Sequence, residues 1–109
     1  MTLLRLTTRL RVKRMDKIEA KKFLSKHIAR LRQRSYGKLK NLLDLNNLEY
    51  SEETGKTGVK YQIKIHAVWD DKKDGDLRVL AEIDDGGWRA FFPLSEDFII
   101  SPNGKFVGE

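Results

Sequence analysis

Residues 59–69 read VKYQIKIHAVW, and this stretch decides the fold because apolar and polar side chains alternate along it. Successive side chains of a β-strand point to opposite faces of the sheet, so an alternation with a period of two indicates a strand with one buried face. The apolar set would face a core and the polar set would face solvent. The apolar positions are Val59, Tyr61, Ile63, Ile65, Ala67 and Trp69, and the polar ones are Lys60, Gln62, Lys64 and His66.

Two helical segments precede this strand. Asp16 is suited to a helix N-cap, and Glu19 stands three residues later, as in a capping box, so a helix is predicted from Asp16 to about Arg34. Ser35 predicts the cap of a second, shorter helix that ends near residues 44–47. The apolar stripe of the first helix is Ala20, Phe23, Leu24, His27, Ile28 and Leu31; that of the second is Tyr36, Leu39, Leu42 and Leu43.

Further strands surround residues 59–69. An edge strand is predicted at 48–53, a hairpin loop at 54–58, a buried strand at 77–83, a tight turn at 84–87 and a strand at 88–94. Residues 98–100 have no clear pattern, and 106–107 are predicted to form a last short strand. The predicted fold class is therefore α+β, with two N-terminal helices packed on one face of a four- to five-stranded antiparallel meander sheet.

The charge of the chain is unevenly distributed. Residues 1–14 carry a net charge of +5, residues 15–40 carry +7 and residues 41–109 carry −6, which together give the formal +6. A basic front half is joined to an acidic back half, and this asymmetry bears on binding partners rather than on chemistry. We predict one folded domain at 15–109. The basic extension at 1–14 is predicted to be disordered or to follow from a start site placed too far upstream, with a transit peptide or a binding arm as alternatives.

Nothing in the sequence matches a catalytic signature. The chain has no cysteine, which excludes disulfides, thiolate metal ligands and cysteine nucleophiles. The acidic stretch at 70–76 does not fit a calcium loop, because Lys72 and Ala81 fall at ligand positions, so it is predicted to be a turn. Asp84 and Asp85 are likewise predicted to serve a turn rather than acid–base chemistry. We predict no catalytic, cofactor-binding or metal-binding residues and no cofactor, and we expect a cytoplasmic protein. A non-enzymatic role is favoured, and the alternative is a cleft enzyme, for which only His66, Asp84, Asp85 and Arg89 are available.

Two surfaces are predicted to bind partners. The first is the polar face of the sheet, and the second is the basic surface of the helices, which would neutralise nucleic-acid phosphates. No helix-turn-helix or aromatic stacking pattern accompanies the basic residues, so a solvated helix face is the alternative there. The sheet-face residues are Lys64, His66, Arg78, Leu80, Glu82, Arg89 and Phe91, and the nucleic-acid contacts are Lys22, Lys26, Arg30 and Arg34.

Four short motifs lie in the second half of the chain: WDD at 69–71, GDLRV at 75–79, DDGGWRAF at 84–91 and GKFVGE at 104–109. In these motifs the chain resembles a family of small uncharacterised bacterial proteins. The resemblance implies a bacterial origin and a domain that starts near Met15, and it brings no known activity and no site residues.

The function predicted from these observations is that of a small, non-enzymatic protein-interaction module, regulatory or immunity-like in role. Its partner would be another protein or a second copy of the chain, with neither a membrane nor a metal. The alternative is a nucleic-acid-associated protein that binds the phosphate backbone through its basic helices.

Overall fold

The computed structural model describes residues 16–86 and 93–109 of the chain. It contains two α-helices, two short 3-10 turns and four β-strands in the described ranges. The predicted domain at 15–109 and extension at 1–14 cannot be compared with it, because residues 1–15 lie outside those ranges. The elements are α1 (Lys17–Leu31), α2 (Tyr36–Lys40), the 3-10 turns Asn41–Leu43 and Leu45–Asn47, β1 (Glu49–Thr54), β2 (Lys60–Trp69), β3 (Leu77–Asp84) and β4 (Leu94–Ile100).

The four strands form one antiparallel sheet in the order β1-β2-β3-β4. Ile65 on β2 stands opposite Glu49 on β1 and opposite Ala81 on β3, and Ala81 in turn stands opposite Glu96 on β4. Each strand is therefore hydrogen-bonded to its neighbour in sequence, as a meander requires. The predicted α+β class with an antiparallel sheet is confirmed.

Alternate residues of the strands and one stripe of each helix belong to a single hydrophobic core. On β2 the buried residues are Tyr61, Ile63, Ile65 and Ala67, and their intervening neighbours are at least partly exposed, which confirms the alternation seen in the sequence. α1 contacts β3 and β4. The remaining core residues include Ala20, Leu24, Ile28, Leu31, Leu39, Leu42, Leu77, Val79, Ala81, Ile83, Phe98 and Ile100.

The start of α1 differs from the predicted capping box. Asp16 does cap the helix, since its side chain accepts hydrogen bonds from the backbone N–H groups of Ile18 and Glu19. The carboxylate of Glu19 does not return to the Asp16 N–H, which instead donates to the hydroxyl of Tyr61 at 3.0 Å. A residue on β2 thus replaces the local partner, because the core brings Tyr61 to the first turn of the helix.

Two segments depart from the prediction in length or position. The second helix ends at Lys40 and continues as a 3-10 turn, so it is shorter than predicted. Residues 98–100, unassigned from the sequence, form the end of β4. The predicted strand at 88–94 lies almost wholly outside the described residues, and the predicted strand at 106–107 is only an isolated bridge between Phe106 and Ile100.

Candidate functional site: the outer sheet face and the charged helix surface

The sheet has a second face, turned away from the core, which we call the outer face. Its residues alternate with the buried ones along each strand. Because neighbouring strands are in register, their side chains form cross-strand rows. The outer face consists of Tyr50, Glu52, Thr54, Lys60, Gln62, Lys64, His66, Val68, Arg78, Leu80, Glu82, Asp84, Ser95, Asp97 and Ile99.

Five of the seven residues predicted for a sheet-face surface lie together on this outer face. Lys64 stands opposite Glu82, and His66 stands opposite Leu80. Arg78 occupies the next row, opposite Val68. The other two predicted residues, Arg89 and Phe91, lie outside the described residues.

Arg78 forms the main polar contact of this face. Its guanidinium donates to Asp70 at 2.7 and 3.1 Å and also pairs with Asp97 on β4. Hydrogen bonds to Asp97 and Asp70 raise the pKa of Arg78, so it stays charged. Arg78 therefore links the end of β2 to β4 across the outer face, and it ties the acidic turn at 70–76 to the sheet.

His66 and Glu82 form a second, looser contact. The His66 Nε2 and the Glu82 Oε1 are 3.5 Å apart, although Glu82 is a diagonal neighbour rather than the residue directly opposite. Within the described ranges no serine or cysteine completes a nucleophilic pair with His66, and its buried Nε2 has no hydrogen-bond partner there. The pair can position a binding surface, but this arrangement supplies no recognisable catalytic unit.

Apolar side chains are exposed among these charges. Val68 is 43% exposed, and Tyr50, which stands opposite Lys64, is 68% exposed. Tyr50 was not among the residues predicted for this face, although the alternation along β1 (EYSEET) separates Tyr50 from the positions that face the helices. Tyrosine and arginine, which this face presents as Tyr50 and Arg78, are among the residue types enriched in protein-binding surfaces.

Four of the nine basic residues at 15–40 form ion pairs with carboxylates of the acidic half of the chain. Arg34 donates two hydrogen bonds, of 2.6 and 2.9 Å, to Glu49 of β1, and these bonds raise the pKa of Arg34. Such a fork-shaped pair is the strongest geometry for an arginine with a carboxylate. Three further ion pairs join the same halves: Lys26 with Glu53, Arg32 with Glu109, and Lys40 with Asp74.

These pairs divide the four predicted nucleic-acid contacts into two groups. Lys26 and Arg34 hold carboxylates of β1, whereas Lys22 and Arg30 are exposed on α1. A phosphate would have to displace a carboxylate to contact Lys26 or Arg34. Part of the positive charge of the helices is therefore already neutralised by glutamates of the sheet half.

His27 lies at the junction of α1 and β1. It is buried, at 8% exposure, and its Nε2 is 3.6 Å from the Glu53 Oε2. Burial lowers the pKa of His27, and the neighbouring charges of Lys26 and Arg30 act in the same direction, against the opposing effect of Glu53. The predicted position of His27 at the edge of the core is confirmed.

The acidic turns contact nearby backbone groups and basic side chains. The Asp84 side chain accepts a hydrogen bond from the Gly86 N–H at 2.7 Å, and Gly86 has a φ of +82°, a conformation that glycine adopts without strain. In the stretch at 70–76, Asp70 contacts Arg78 and Asp74 contacts Lys40. Among residues 16–86 and 93–109 no group of three or more acidic or histidine side chains is arranged to hold a metal ion.

A shallow groove of about 420 Å³ lies between the end of α1 and the C-terminal turn. Arg32, Tyr36, Asn103 and Phe106 are among its lining residues. The guanidinium of Arg32 stacks on the Phe106 ring at 3.9 Å and holds the Glu109 carboxylate, and the Tyr36 hydroxyl donates to the Gly75 carbonyl at 2.7 Å. The Arg32 guanidinium and the Tyr36 hydroxyl, two polar groups of this groove, are thus already engaged within the protein.

Comparisons with protein-family models, with curated proteins and with solved structures found no match for this chain. The resemblance carried by the motifs at 69–109 therefore stays a prediction. In the part of the chain that the structure describes, neither helix has the length and apolar character needed to cross a membrane.

Proposed function

We propose that this protein is a small, non-enzymatic interaction module that binds a partner protein through the outer face of its sheet, in a regulatory or immunity-like role. The observation that carries the proposal is the composition of that face. It presents exposed Val68 and Tyr50 beside charged side chains, with Arg78 opposite Val68 and Lys64 opposite Tyr50. Protein-binding surfaces combine such apolar and charged residues.

The alternative, binding of nucleic acid by the basic helices, has less support. Lys26 and Arg34 are already paired with Glu53 and Glu49, so phosphate binding there would cost the existing ion pairs. The adjoining sheet half is acidic and would repel a phosphate backbone. Of the four predicted contacts, this leaves only Lys22 and Arg30 without such an ion pair to break.

Site-specific photo-crosslinking in cells that express the chain from its own locus tests the proposal. A photoreactive amino acid is placed at Val68 or Tyr50, and for comparison at Lys22 on α1 or at Asp71 in the acidic turn. We expect one discrete protein adduct from the outer-face positions only. The same adduct should be lost when Arg78→Glu is added, because this change removes the contacts of Arg78 with Asp70 and Asp97 and reverses its charge.

Equal crosslinking at all four positions, or an adduct that Arg78→Glu leaves unchanged, would contradict the proposal. A parallel measurement addresses the alternative: fluorescence anisotropy with a generic duplex and a generic single strand at about 150 mM salt. Micromolar binding that is weakened by charge reversal at Lys22 and Arg30 would favour the nucleic-acid function instead.

A further inference from the structure

β1 is an edge strand, and its outward backbone groups can be identified. Gly55 N donates to the Val59 carbonyl at 2.8 Å, and the β1–β2 register continues from this pair without interruption. In an antiparallel ladder the residues that bond to the neighbouring strand alternate with residues whose N–H and C=O point the other way. Ser51 and Glu53 therefore bond to β2, whereas the backbone groups of Tyr50, Glu52 and Thr54 point away from the sheet.

These outward groups have no strand beside them within residues 16–86 and 93–109, because the order of the sheet ends at β1. The opposite edge is different. There the Val107 N–H donates to the Ile99 carbonyl at 2.9 Å, and Phe106 forms a bridge to Ile100, so the C-terminal segment covers the end of β4. Within the described residues no such cover lies on β1, which keeps a row of outward backbone donors and acceptors at Tyr50, Glu52 and Thr54.

The charges of β1 favour a basic partner at this edge. β1 carries three glutamates and no base. Glu49 and Glu53 project to the helix side, where Arg34 and Lys26 neutralise them. Glu52 projects to the outer face, and its ion pair with Lys60 is long, at 4.0 Å between two exposed side chains, so it contributes little.

A second copy of the chain fits this edge poorly. Two β1 strands paired antiparallel about their centre would place one Glu52 directly opposite the other. If one strand slides by two residues, Glu53 of one copy comes to stand opposite Glu53 of the other copy. A slide by two residues in the other direction places Glu53 opposite Glu49. Like charges in directly opposed positions destabilise a strand pair, and charged edges are a known defence against self-association.

From these observations we propose that β1 is a docking edge for an extended segment of a partner protein that carries a basic residue opposite Glu52. The segment adds a fifth strand to the sheet. Its main-chain groups bond to Tyr50, Glu52 and Thr54, its basic side chain pairs with Glu52, and an apolar side chain packs on the exposed ring of Tyr50. The edge shares Tyr50 with the outer face, whereas Val68 and Arg78 lie on the outer face away from β1, so the two proposals can be tested separately.

The probe is a blocked seven-residue peptide, Thr-Val-Thr-Lys-Thr-Val-Thr, with a control peptide that has Glu in place of Lys. Paired antiparallel to β1, it sets its lysine opposite Glu52 and a valine opposite Tyr50. Hydrogen exchange, followed by NMR, is measured with peptide at about 1 mM. We expect the amides of Tyr50, Glu52 and Thr54 to exchange fast in the free protein and to become protected with the lysine peptide, while those of Ser51 and Glu53 are protected throughout.

Two variants at Glu52 test the role of charge and of the backbone, and a third variant at Asp71 is the control. Glu52→Lys should weaken the lysine peptide roughly threefold or more and should strengthen the glutamate peptide, as expected for a cross-strand pair. Asp71→Lys makes the same change of net charge in the distant acidic turn and should change neither affinity. Glu52→Pro removes an outward N–H without removing a bond to β2, and it should abolish protection at the edge.

Four results would overturn the proposal. These are the absence of alternate protection on β1 at saturation, equal effects of Glu52→Lys and Asp71→Lys, shifts confined to Val68 and Arg78 on the outer face, or a wild-type dimer that buries β1. The third result would still support the proposed function, so failure of the two proposals can be told apart. The melting temperature of each variant is compared with that of the wild type. A variant that melts at the wild-type temperature is still folded, so its loss of binding is due to the altered edge.

Discussion

The hydroxyl of Tyr61 on β2 donates to the Glu19 carboxylate of α1 at 2.9 Å while it accepts from the backbone N–H of Asp16 at 3.0 Å. Glu19 also accepts from the Lys56 N–H of the β1–β2 hairpin at 2.8 Å. Burial raises the pKa of the Tyr61 hydroxyl, so it remains a donor at neutral pH. This network attaches the first turn of α1 to the end of the sheet at which the hairpin joins β1 to β2.

Tyr61→Phe should destabilise the protein because it leaves the Asp16 N–H without its acceptor and removes one partner of Glu19. The ring itself is kept, so the core packing changes little. We expect a loss of about 0.5–2 kcal/mol in the free energy of unfolding, measured by urea titration. Tyr50→Phe is the matched control, because the Tyr50 side chain is exposed; equal losses for both variants would contradict this role of Tyr61.

Gly55→Ala should act on the same network. A Cβ at Gly55 would lie 2.0 Å from the Glu19 Oε1 and 3.0 Å from the Tyr61 ring, so the carboxylate must leave its place. We expect a loss of about 1 kcal/mol, through the hydrogen bonds of Glu19. In a Glu19→Ala background the same change should cost less, with a coupling of at least about 0.5 kcal/mol between the two positions. Additive effects in this cycle would show that Glu19 is not what the new methyl group displaces.

The regular strands could be predicted from the sequence because alternation alone determines which side chains are buried. This holds for β2 and β3, where buried and exposed positions alternate along the whole element. β4 (LSEDFII) was missed because only Phe98 and Ile100 at its end are buried, so three polar residues precede three apolar ones and the alternation is lost.

The charged contacts could not be predicted, for a different reason. Glu19 and Tyr61 are 42 residues apart in sequence, and Arg32 and Glu109 are 77 apart, so their meeting depends on how the helices lie against the sheet. The sequence indicated a basic surface on the helices. It did not indicate that Lys26 and Arg34 would form ion pairs with glutamates of β1, because these residues come together only in the folded chain.

Ile63→Ala tests the register of β2. Ile63 is fully buried in the core, so truncation should cost about 2–5 kcal/mol from lost burial and the cavity left behind. Val68→Ala is the control on the outer face of the same strand and should cost less than about 1 kcal/mol. Chemical denaturation of the two variants under identical conditions gives the comparison. A smaller loss for Ile63→Ala than for Val68→Ala would mean that the two faces of β2 are assigned the wrong way round.

His27 should make the stability of the protein depend on pH in a defined window. Burial lowers the pKa of His27 in the folded protein below its usual value of 6.5, so the unfolded chain binds the proton more readily. The free energy of unfolding should therefore fall as the pH drops through 6.5 and should level off below the folded pKa. Burial alone would raise the pKa of Glu53, but the contacts with Lys26 and His27 outweigh burial and lower that pKa. The free energy of unfolding should therefore fall a second time as the pH drops below 4.5.

The first of these windows is isolated by His27→Gln, which keeps a polar side chain of similar reach but does not titrate. We expect the difference in unfolding free energy between about pH 7.5 and about pH 5.5 to be smaller in His27→Gln than in the wild type, because protonation of the unfolded histidine no longer contributes. The second histidine, His66, is present in both proteins, so its effect is common to the two measurements. Only the difference across the pH range is compared, which removes any constant cost of the substitution. If both proteins lost the same stability between these two pH values, His27 would not be the group that couples folding to protons in this range.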